Sequence, residues 1–327
     1  MRAVQFTSFG GPEVLHVETV PMPVPADGEL LVKVHAAGVN PHDLLNRSGS
    51  LRVITGRHFP FGTGLEFAGE VVKDKHGTFP LGQKVWGSVP AMKPHATGAI
   101  AEYVAVPIDR IARLPESLTF VEGASLVITA TTAIRALRQE AKLQPGESIL
   151  VRGAGGGVGL AAVQIAVAVG ALVTTLSSNG DFAALTTLGA TQTLDYKTIQ
   201  SKDLGRFDVI FDAVGTHLLA YRSHLDHGGR MVTIAFASGR ALAEVGLSSI
   251  FGRHRIRVFS TDAKSDLLDA AVEMVDRGQL RPTVASTFSL EDTGRAQEDL
   301  NVGGRRGKRV IVVYPDQASR LCCPPVA

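Results

Sequence analysis

The stretch "ILVRGAGGGVGLAAVQIAVAVGALVTTLSS", residues 149–178, constrains this chain more than any other. Ile149 to Val151 read as a short buried strand, and Leu160 to Val169 are small, apolar and good helix formers. Between them lie Gly153, Gly155, Gly156, Gly157 and Gly159. Glycine weakens the interior of an element through its backbone freedom. Five glycines within seven residues therefore point to a tight turn that a second backbone or a ligand must approach closely. The run Leu160 to Leu176 is nearly all apolar, but Gln164 and Gly170 interrupt it and it is short for a bilayer span. A buried helix followed by a strand fits it better.

A glycine-rich turn after the first strand of a doubly wound sheet leaves backbone N–H groups free at a helix N-terminus. Those donors and the helix dipole favour a pyrophosphate. The spacing G-x-G-x-x-G is not met, because Val158 stands where the third glycine would be. G-x-x-G-x-x-G is met by Gly153, Gly156 and Gly159. Alone, that spacing serves equally a turn that only lets a helix pack closely on a strand. Context favours the dinucleotide. From about Gly123 the chain alternates helix and strand: "ASLVITATTAIRALRQE" is a helix candidate, and "SILVRG", "ALVTTLS", "QTLDY", "DVIFDAVG", "RMVTIAF" and "RIRVFS" are short apolar runs. That alternation implies parallel strands with crossover helices.

The end of the second strand reports on the adenosine ribose. NAD-selective sites often carry Asp or Glu there. This chain has Ser177 and Ser178. Neutral hydroxyls remove the repulsion a carboxylate would impose on a 2′-phosphate, which favours NADPH, with NADH the alternative. Asp181 close by, and the lack of a Lys or Arg promptly after the strand, pull the other way.

At 327 residues the chain is long for one hydrophobic core, so two domains are expected. Residues 1 to about 115 are rich in Val, Gly and Pro, and "LLVKVHAAGV", "FAGEVV", "KVWGSV" and "AEYVAV" read as strands of a barrel-like unit. The net charge of +2 gives no argument for nucleic acid or a membrane surface. The two cysteines, Cys322 and Cys323, are adjacent in a Pro-containing tail. No disulfide framework is possible, which fits a reducing cytoplasm, and "MRAVQFTSFGG" has no apolar signal core.

The ordered set "VHAAGVNPHDLLNRSG", "GTGLEFAGEVV", "GAIAEYVAV", "ASLVITATTAIRAL", "VRGAGGGVGLAAVQIA" and "GGRMVTIA" resembles the medium-chain dehydrogenase/reductase superfamily. Within it, the chain looks like the zinc-free quinone oxidoreductase branch that includes zeta-crystallin. The resemblance implies an α/β fold in which a doubly wound Rossmann sheet is inserted into a GroES-like β-rich barrel domain. It places the catalytic domain at 1–122 and 262–327, and the cofactor domain at 123–261. It also implies a homodimer, with sheets joined through the edge strand near "RIRVFS". By similarity, Asn40 approaches the nicotinamide ribose and Thr132 sits near the nicotinamide. Gly156, Gly157 and Val158 face the pyrophosphate, and Tyr196 lies by the 2′-phosphate. Val214, Gly215, Ile234 and Ala235 line the cofactor. The residues alone allow plainer roles: Asn40 before Pro41 as a turn cap, Thr132 bonding back along its helix, Tyr196 as a strand aromatic. Leu45 replaces a Tyr of many relatives, which leaves the proton donor unnamed. Asp181 replaces a lysine of relatives that hold the 2′-phosphate.

Zinc enzymes of the same superfamily use Cys and His ligands, and zinc prefers such N and S donors. No cysteine precedes Cys322, and His42, Glu66 and His95 match no known ligand spacing, so no metal is expected. Without a Lewis acid, a simple ketone needs strong donors at its developing oxyanion. A quinone or an α,β-unsaturated carbonyl spreads the charge and suits hydride transfer with alignment as the protein's chief task. Two alternatives stay open. One is an enoyl-thioester reductase, whose groove would need basic residues such as Arg47, Arg52, Arg57 and His58 at its mouth, though a solvated loop is the plainer reading of those residues. The other is a cofactor-binding protein with little turnover.

Overall fold

The computed structural model describes residues 1–90, 97–235, 244–246, 248, 256–259, 262–302, 304 and 306–314. His95, Arg255, Ser260, Cys322 and Cys323 lie outside these residues.

The N-terminal part is antiparallel. β1 (Arg2–Phe6) pairs with β2 (His16–Thr19). The long β3 (Glu29–Gly38) follows, then α1 (Pro41–Arg47) and the short α2 (Arg52–Thr55). β4 (Phe61–Gly62) pairs with β1, and β5 (Glu66–Lys73) leads to β6 (Lys84–Ser88), β7 (Tyr103–Pro107) and β8 (Ile111–Arg113). β3 takes both β5 and β7 as antiparallel neighbours. The Leu, Val and Ala residues of "ELLVKVHAAG" are therefore nearly all buried. Leu30, Val32, Val34, Val85, Val104, Val106 and Ile111 form the barrel core.

α3 (Phe120–Ile134) joins the two units. Its start is fixed by reciprocal bonds: Glu122 N–H donates to Thr119 Oγ1 at 3.2 Å, and Thr119 N–H donates to Glu122 Oε2 at 2.9 Å. A wider turn, Arg135–Glu140, extends it. Phe120–Glu140 is long and apolar enough to cross a membrane, yet 78% of its apolar window is buried inside the protein. It packs on α4 (Gly157–Val169) on one side and on β3 and β5 on the other.

The second unit continues with β9 (Ser148–Arg152), α4, β10 (Leu172–Ser177), α5 (Phe182–Thr187) and β11 (Gln192–Asp195). β12 (Phe207–Asp212), α6 (Leu218–Arg222), β13 (Leu225–Thr233) and β14 (Ile256–Val258) complete it. All neighbours are parallel, in the order β11-β10-β9-β12-β13-β14. The order reverses between β9 and β12, the place where doubly wound sheets bind ligands. β14, the core of "RIRVFS", is the edge strand among the described residues.

The chain then returns to the barrel. α7 (Ser265–Asp276) buries Leu267, Leu268, Ala271, Val272 and Val275 at helical spacing. β15 (Val284–Ser289), α8 (Thr293–Val302) and β16 (Lys308–Val312) follow. β16 pairs antiparallel with β3, so the barrel sheet closes with strands from both ends of the chain. The fold is a parallel doubly wound sheet inserted into a GroES-like barrel.

Candidate functional site

The glycine turn runs from the end of β9 into α4, and each glycine answers a different need. Gly153 has φ +74°, a left-handed conformation that side chains other than glycine's rarely adopt. A Cβ on Gly155 would lie 2.3 Å from Asp181 Oδ2. A Cβ on Gly159 would lie 2.1 Å from the Gly153 carbonyl oxygen and 2.7 Å from Ala154 Cα. Gly159 thus serves close helix–loop packing, the plainer of the two readings of the spacing. Gly156 is open by comparison: its nearest contact would be at 3.4 Å. Gly156 caps α4 in an extended conformation, and the N–H groups of Gly157, Val158 and Gly159 have no backbone acceptor among the described residues. Three free donors at the N-terminus of a 13-residue helix form an anion cradle.

The loops after β12 and β13 close on this turn. Val214 Cγ2 would sit 3.1 Å from a Cβ on Gly153. Asp212, fully buried at the end of β12, organises the loop: Gly215 N–H donates to Oδ2 at 2.8 Å, Val214 N–H to Oδ1 at 3.4 Å, and Thr233 Oγ1 to Oδ2 at 2.8 Å. Its counter-charge is Arg152 at the end of β9, whose guanidinium also donates to the Thr216 carbonyl and lies over the Tyr221 ring, 3.4 Å from its centroid. Ile234 and Ala235 follow β13 at half-buried positions.

Ser177 ends β10, buried, with its Oγ donating to the Ser178 carbonyl at 3.2 Å. Tyr196 N–H donates to the Ser177 carbonyl at 3.1 Å, so these two residues are neighbours across the β10–β11 pair. The Tyr196 ring is exposed, with Lys197 Nζ 5.9 Å from its centroid. Asp181 stands at the start of α5 without capping it through its side chain. Its carboxylate accepts from Ser178 Oγ at 2.9 Å and turns toward the glycine loop. Arg306 Nη1 lies 3.9 Å from Asp181 Oδ1. Lys197 beside Tyr196 and Arg306 beside Asp181 are two cations that the residues directly after the strand do not reveal.

The barrel supplies the other wall. Asn40, at the end of the β3–α1 connection, is 4% exposed and its amide is held at both ends. Nδ2 donates to Glu66 Oε1 at 2.8 Å, and Lys308 Nζ donates to Oδ1 in a short bond. Lys308 Nζ is also 2.6 Å from Glu66 Oε1. Glu66 Oε2 accepts the Ile128 N–H of α3 at 2.6 Å. Asn40 and Asp43 form a reciprocal capping box at the start of α1, and Asp43 accepts from Asn40 N–H at 2.8 Å and Gly64 N–H at 3.0 Å. Burial pushes the Asp43 carboxyl above the usual range, against the opposing pull of His42, of those two N–H donors and of Lys308. This cluster meets the glycine turn. Lys308 Cδ lies 3.9 Å from where a Cβ on Gly157 would be, and Gly307 N–H donates to the Gly155 carbonyl at 3.3 Å.

Thr132 is buried in α3. Thr129 and Thr131 return their hydroxyls to carbonyls of the preceding turn, whereas no such bond is made by Thr132. Lys308 and Arg306 escape a sequence reading because they lie some 150 residues beyond the glycine turn; "RGK" just before an apolar strand is the signal for them.

The described residues do not fit a catalytic zinc. Glu66, the carboxylate beside Asn40, already faces an ammonium, and no group of three His, Cys, Asp or Glu side chains gathers among the described residues. His42 Nε2 is buried without a partner. The basic mouth also falls away in part. Arg47 is buried, donating to Gln297 Oε1 at 2.7 Å and to the Gly10 carbonyl, so it braces α1 against α8; Arg52, Arg57 and His58 are exposed.

A dinucleotide cradle at the switch point of a parallel sheet, walled by a GroES-like barrel, defines an oxidoreductase of the nicotinamide-dependent kind. Residues 26–116 match the alcohol dehydrogenase GroES-like domain, and residues 188–311 match the zinc-binding dehydrogenase family. The chain is 34% identical to the quinone oxidoreductase of Mus musculus, over 96% of this chain and 98% of that protein. The solved quinone oxidoreductase from Coxiella burnetii superposes with a TM-score of 0.86 at 30% identity, covering 96% of this chain and 99% of that one. The CurK enoyl reductase shares the fold at a TM-score of 0.84 and 21% identity, covering 95% and 98%. The chain belongs to the medium-chain dehydrogenase/reductase superfamily, in its quinone oxidoreductase branch.

Proposed function

We propose that this protein reduces quinones and α,β-unsaturated carbonyls with NADPH, without a metal. The observation that carries the reading is the N–H cradle of Gly157–Gly159 standing against the buried Asn40–Lys308 pair. The cradle would hold the pyrophosphate, while Asn40 and Thr132 would flank the nicotinamide end. Bound there, the reduced cofactor supplies the hydride. The protein's own part is to hold the acceptor in line and to exclude water, with hydride addition to a conjugated system demanding little oxyanion stabilisation. Where a metal would polarise a carbonyl, this chain has an internally neutralised Glu66–Lys308 pair. The enoyl-thioester alternative is weakened by the burial of Arg47.

The test is steady-state turnover on panels of small quinones, enones and enoyl thioesters, with each cofactor, after prolonged EDTA dialysis. Turnover of quinones or enones with NADPH is expected to survive dialysis. Activity that vanishes and returns only with zinc defeats the metal-free reading; turnover confined to thioesters defeats the substrate class.

NADPH is favoured by the neutral Ser177, by its neighbour Tyr196, and by the cations Lys197 beside Tyr196 and Arg306 beside Asp181. The Ser177 side chain is buried, so a carboxylate there would be poorly screened. Ser177→Asp is expected to reverse the preference toward NADH, through repulsion on the order of 1–3 kcal/mol against the 2′-phosphate. Dissociation constants for both reduced cofactors, with a thermal melt of each variant, decide it. Equal or tighter NADH binding by the unmodified protein overturns the assignment.

A further inference from the structure

We infer that His42, in the first turn of α1, is the proton donor that completes reduction of the acceptor. The inference rests on the proposal that the cleft carries hydride transfer from a reduced nicotinamide to a quinone or enone, and it names the group that this proposal leaves open.

α1 starts at Asn40, and Lys308 links Asn40 to the glycine cradle, so the first turn of α1 stands on the barrel wall of the cleft. The helix has a core side, where Asp43 and Arg47 are buried, and an open side, where Pro41, Leu45 and Ser48 are exposed. His42 lies on the border between the two, half-buried. Leu45, its neighbour at i+3 on the open side, brings no hydroxyl. Among Pro41, His42, Leu45, Asn46 and Ser48, only histidine is a residue type that transfers protons near neutral pH.

Two polar atoms on this flank are left open. His42 Nε2 and Asn46 Oδ1 are both buried and have no hydrogen-bond partner among the described residues. At i and i+4 they share one face of the helix, with Cβ atoms about 5–6 Å apart. Buried polar atoms are nearly always paired, so two orphans side by side mark the place of a polar occupant. The imidazolium form of histidine only donates, and an amide oxygen only accepts. Together they suit an oxygen that enters as a carbonyl acceptor and leaves as a hydroxyl donor. The carbonyl oxygen of a quinone or an enone changes in that way on reduction.

The quinone takes a hydride, two electrons with one hydrogen nucleus, from the reduced cofactor and becomes a hydroquinone monoanion. The oxygen of that anion takes the proton from His42 Nε2. An N–H bond breaks, an O–H bond forms, and the imidazole is left neutral. Water returns the proton to the ring before the next turnover. With an enone, the same proton goes to the enolate oxygen.

His42→Gln keeps the size of the side chain and an N–H donor, but gives up no proton. It is expected to melt with the unmodified protein and to bind NADPH unchanged. Its kcat on duroquinone is expected to fall about 100-fold, the lower end of the range for a general acid. His42→Ala opens room for free imidazole, which should restore kcat by about tenfold or more. A readout independent of turnover comes from the ring C2–H resonances of the 10 histidines. Durohydroquinone added with NADP+ should shift the resonance that is missing from either variant. A kcat within about threefold of normal in His42→Gln overturns the inference. So does a loss in His42→Ala that imidazole leaves untouched, or a His42 resonance that does not move. An unmodified protein that turns over neither quinones nor enones overturns instead the reading on which the inference rests.

Discussion

Asp212→Ala is expected to lower the stability of the protein by about 3–5 kcal/mol, the cost of leaving a buried charge without its partner. Arg152 is 4% exposed and Asp212 is fully buried, so neither can turn to solvent when the other is lost. The damage extends beyond the pair. Asp212 is also the acceptor for Val214 N–H, Gly215 N–H and the Thr233 hydroxyl; the two N–H groups would be orphaned together, while the hydroxyl keeps the Ala235 carbonyl at 3.1 Å. The loop they shape, with Gly215 at φ +77°, would loosen against the glycine turn. Weakened binding of NADPH should therefore accompany the loss of stability. Denaturant unfolding and cofactor titration check both. A loss below about 1 kcal/mol would show the pair to be far better solvated than its burial implies. Arg152→Met with Asp212→Leu should recover most of the stability, because buried ion pairs replaced by apolar groups are often neutral or better, while the loop's donors stay unpaired and NADPH binding stays weak.

Much of the fold is legible in the sequence because local patterns and global topology agree. The apolar runs from "SILVRG" to "RMVTIAF" become β9 to β13, and their spacing leaves room for crossover helices. A parallel sheet buried on both faces needs such continuous apolar strands. The return of β16 to pair with β3 is not local: Val310 faces Gly38 across nearly the whole chain. Nothing in either segment names the other, and the family resemblance implies only that the C-terminal segment rejoins the barrel domain.

The site divides along the same line. Glycines act on the backbone next to them, so the turn at Gly153–Gly159 is readable from its own residues. The surroundings of Asn40 are not. Its amide is oriented by Glu66, 26 residues on, and by Lys308, 268 residues on. Ser177 likewise takes a neighbour from the next strand, Tyr196, and Asp181 is met by Arg306 from far along the chain. Asp181 does not cap α5 with its side chain: its carboxylate faces Gly155 and is partly offset by Arg306, so its charge does not stand alone before a phosphate.

Gly159→Ala is expected to reduce cofactor-dependent kcat/KM about 100-fold, the scale of a displacement near 1 Å at a reacting centre. A methyl at this position would lie 2.1 Å from the Gly153 carbonyl oxygen and 2.7 Å from Ala154 Cα. Both are backbone atoms of the turn, so no side chain can swing aside to relieve the contact. Either the N-terminus of α4 moves away from β9 or the turn opens. Each response carries the N–H groups of Gly157 and Val158 out of register with Asn40 and Lys308 on the opposite wall. Overpacking also lowers stability, by about 1–3 kcal/mol, so the loss of activity must be separated from unfolding. Gly205→Ala supplies the comparison, because a Cβ at Gly205 meets nothing within 4 Å. It should leave kcat/KM and the melting temperature within experimental error of the unmodified protein. Gly159→Ala, assayed well below its own melting temperature, should bind NADPH weakly while remaining folded. An alanine variant with near-normal NADPH affinity would mean that the cradle tolerates a displaced helix, and that the pyrophosphate is held chiefly by groups other than these backbone donors.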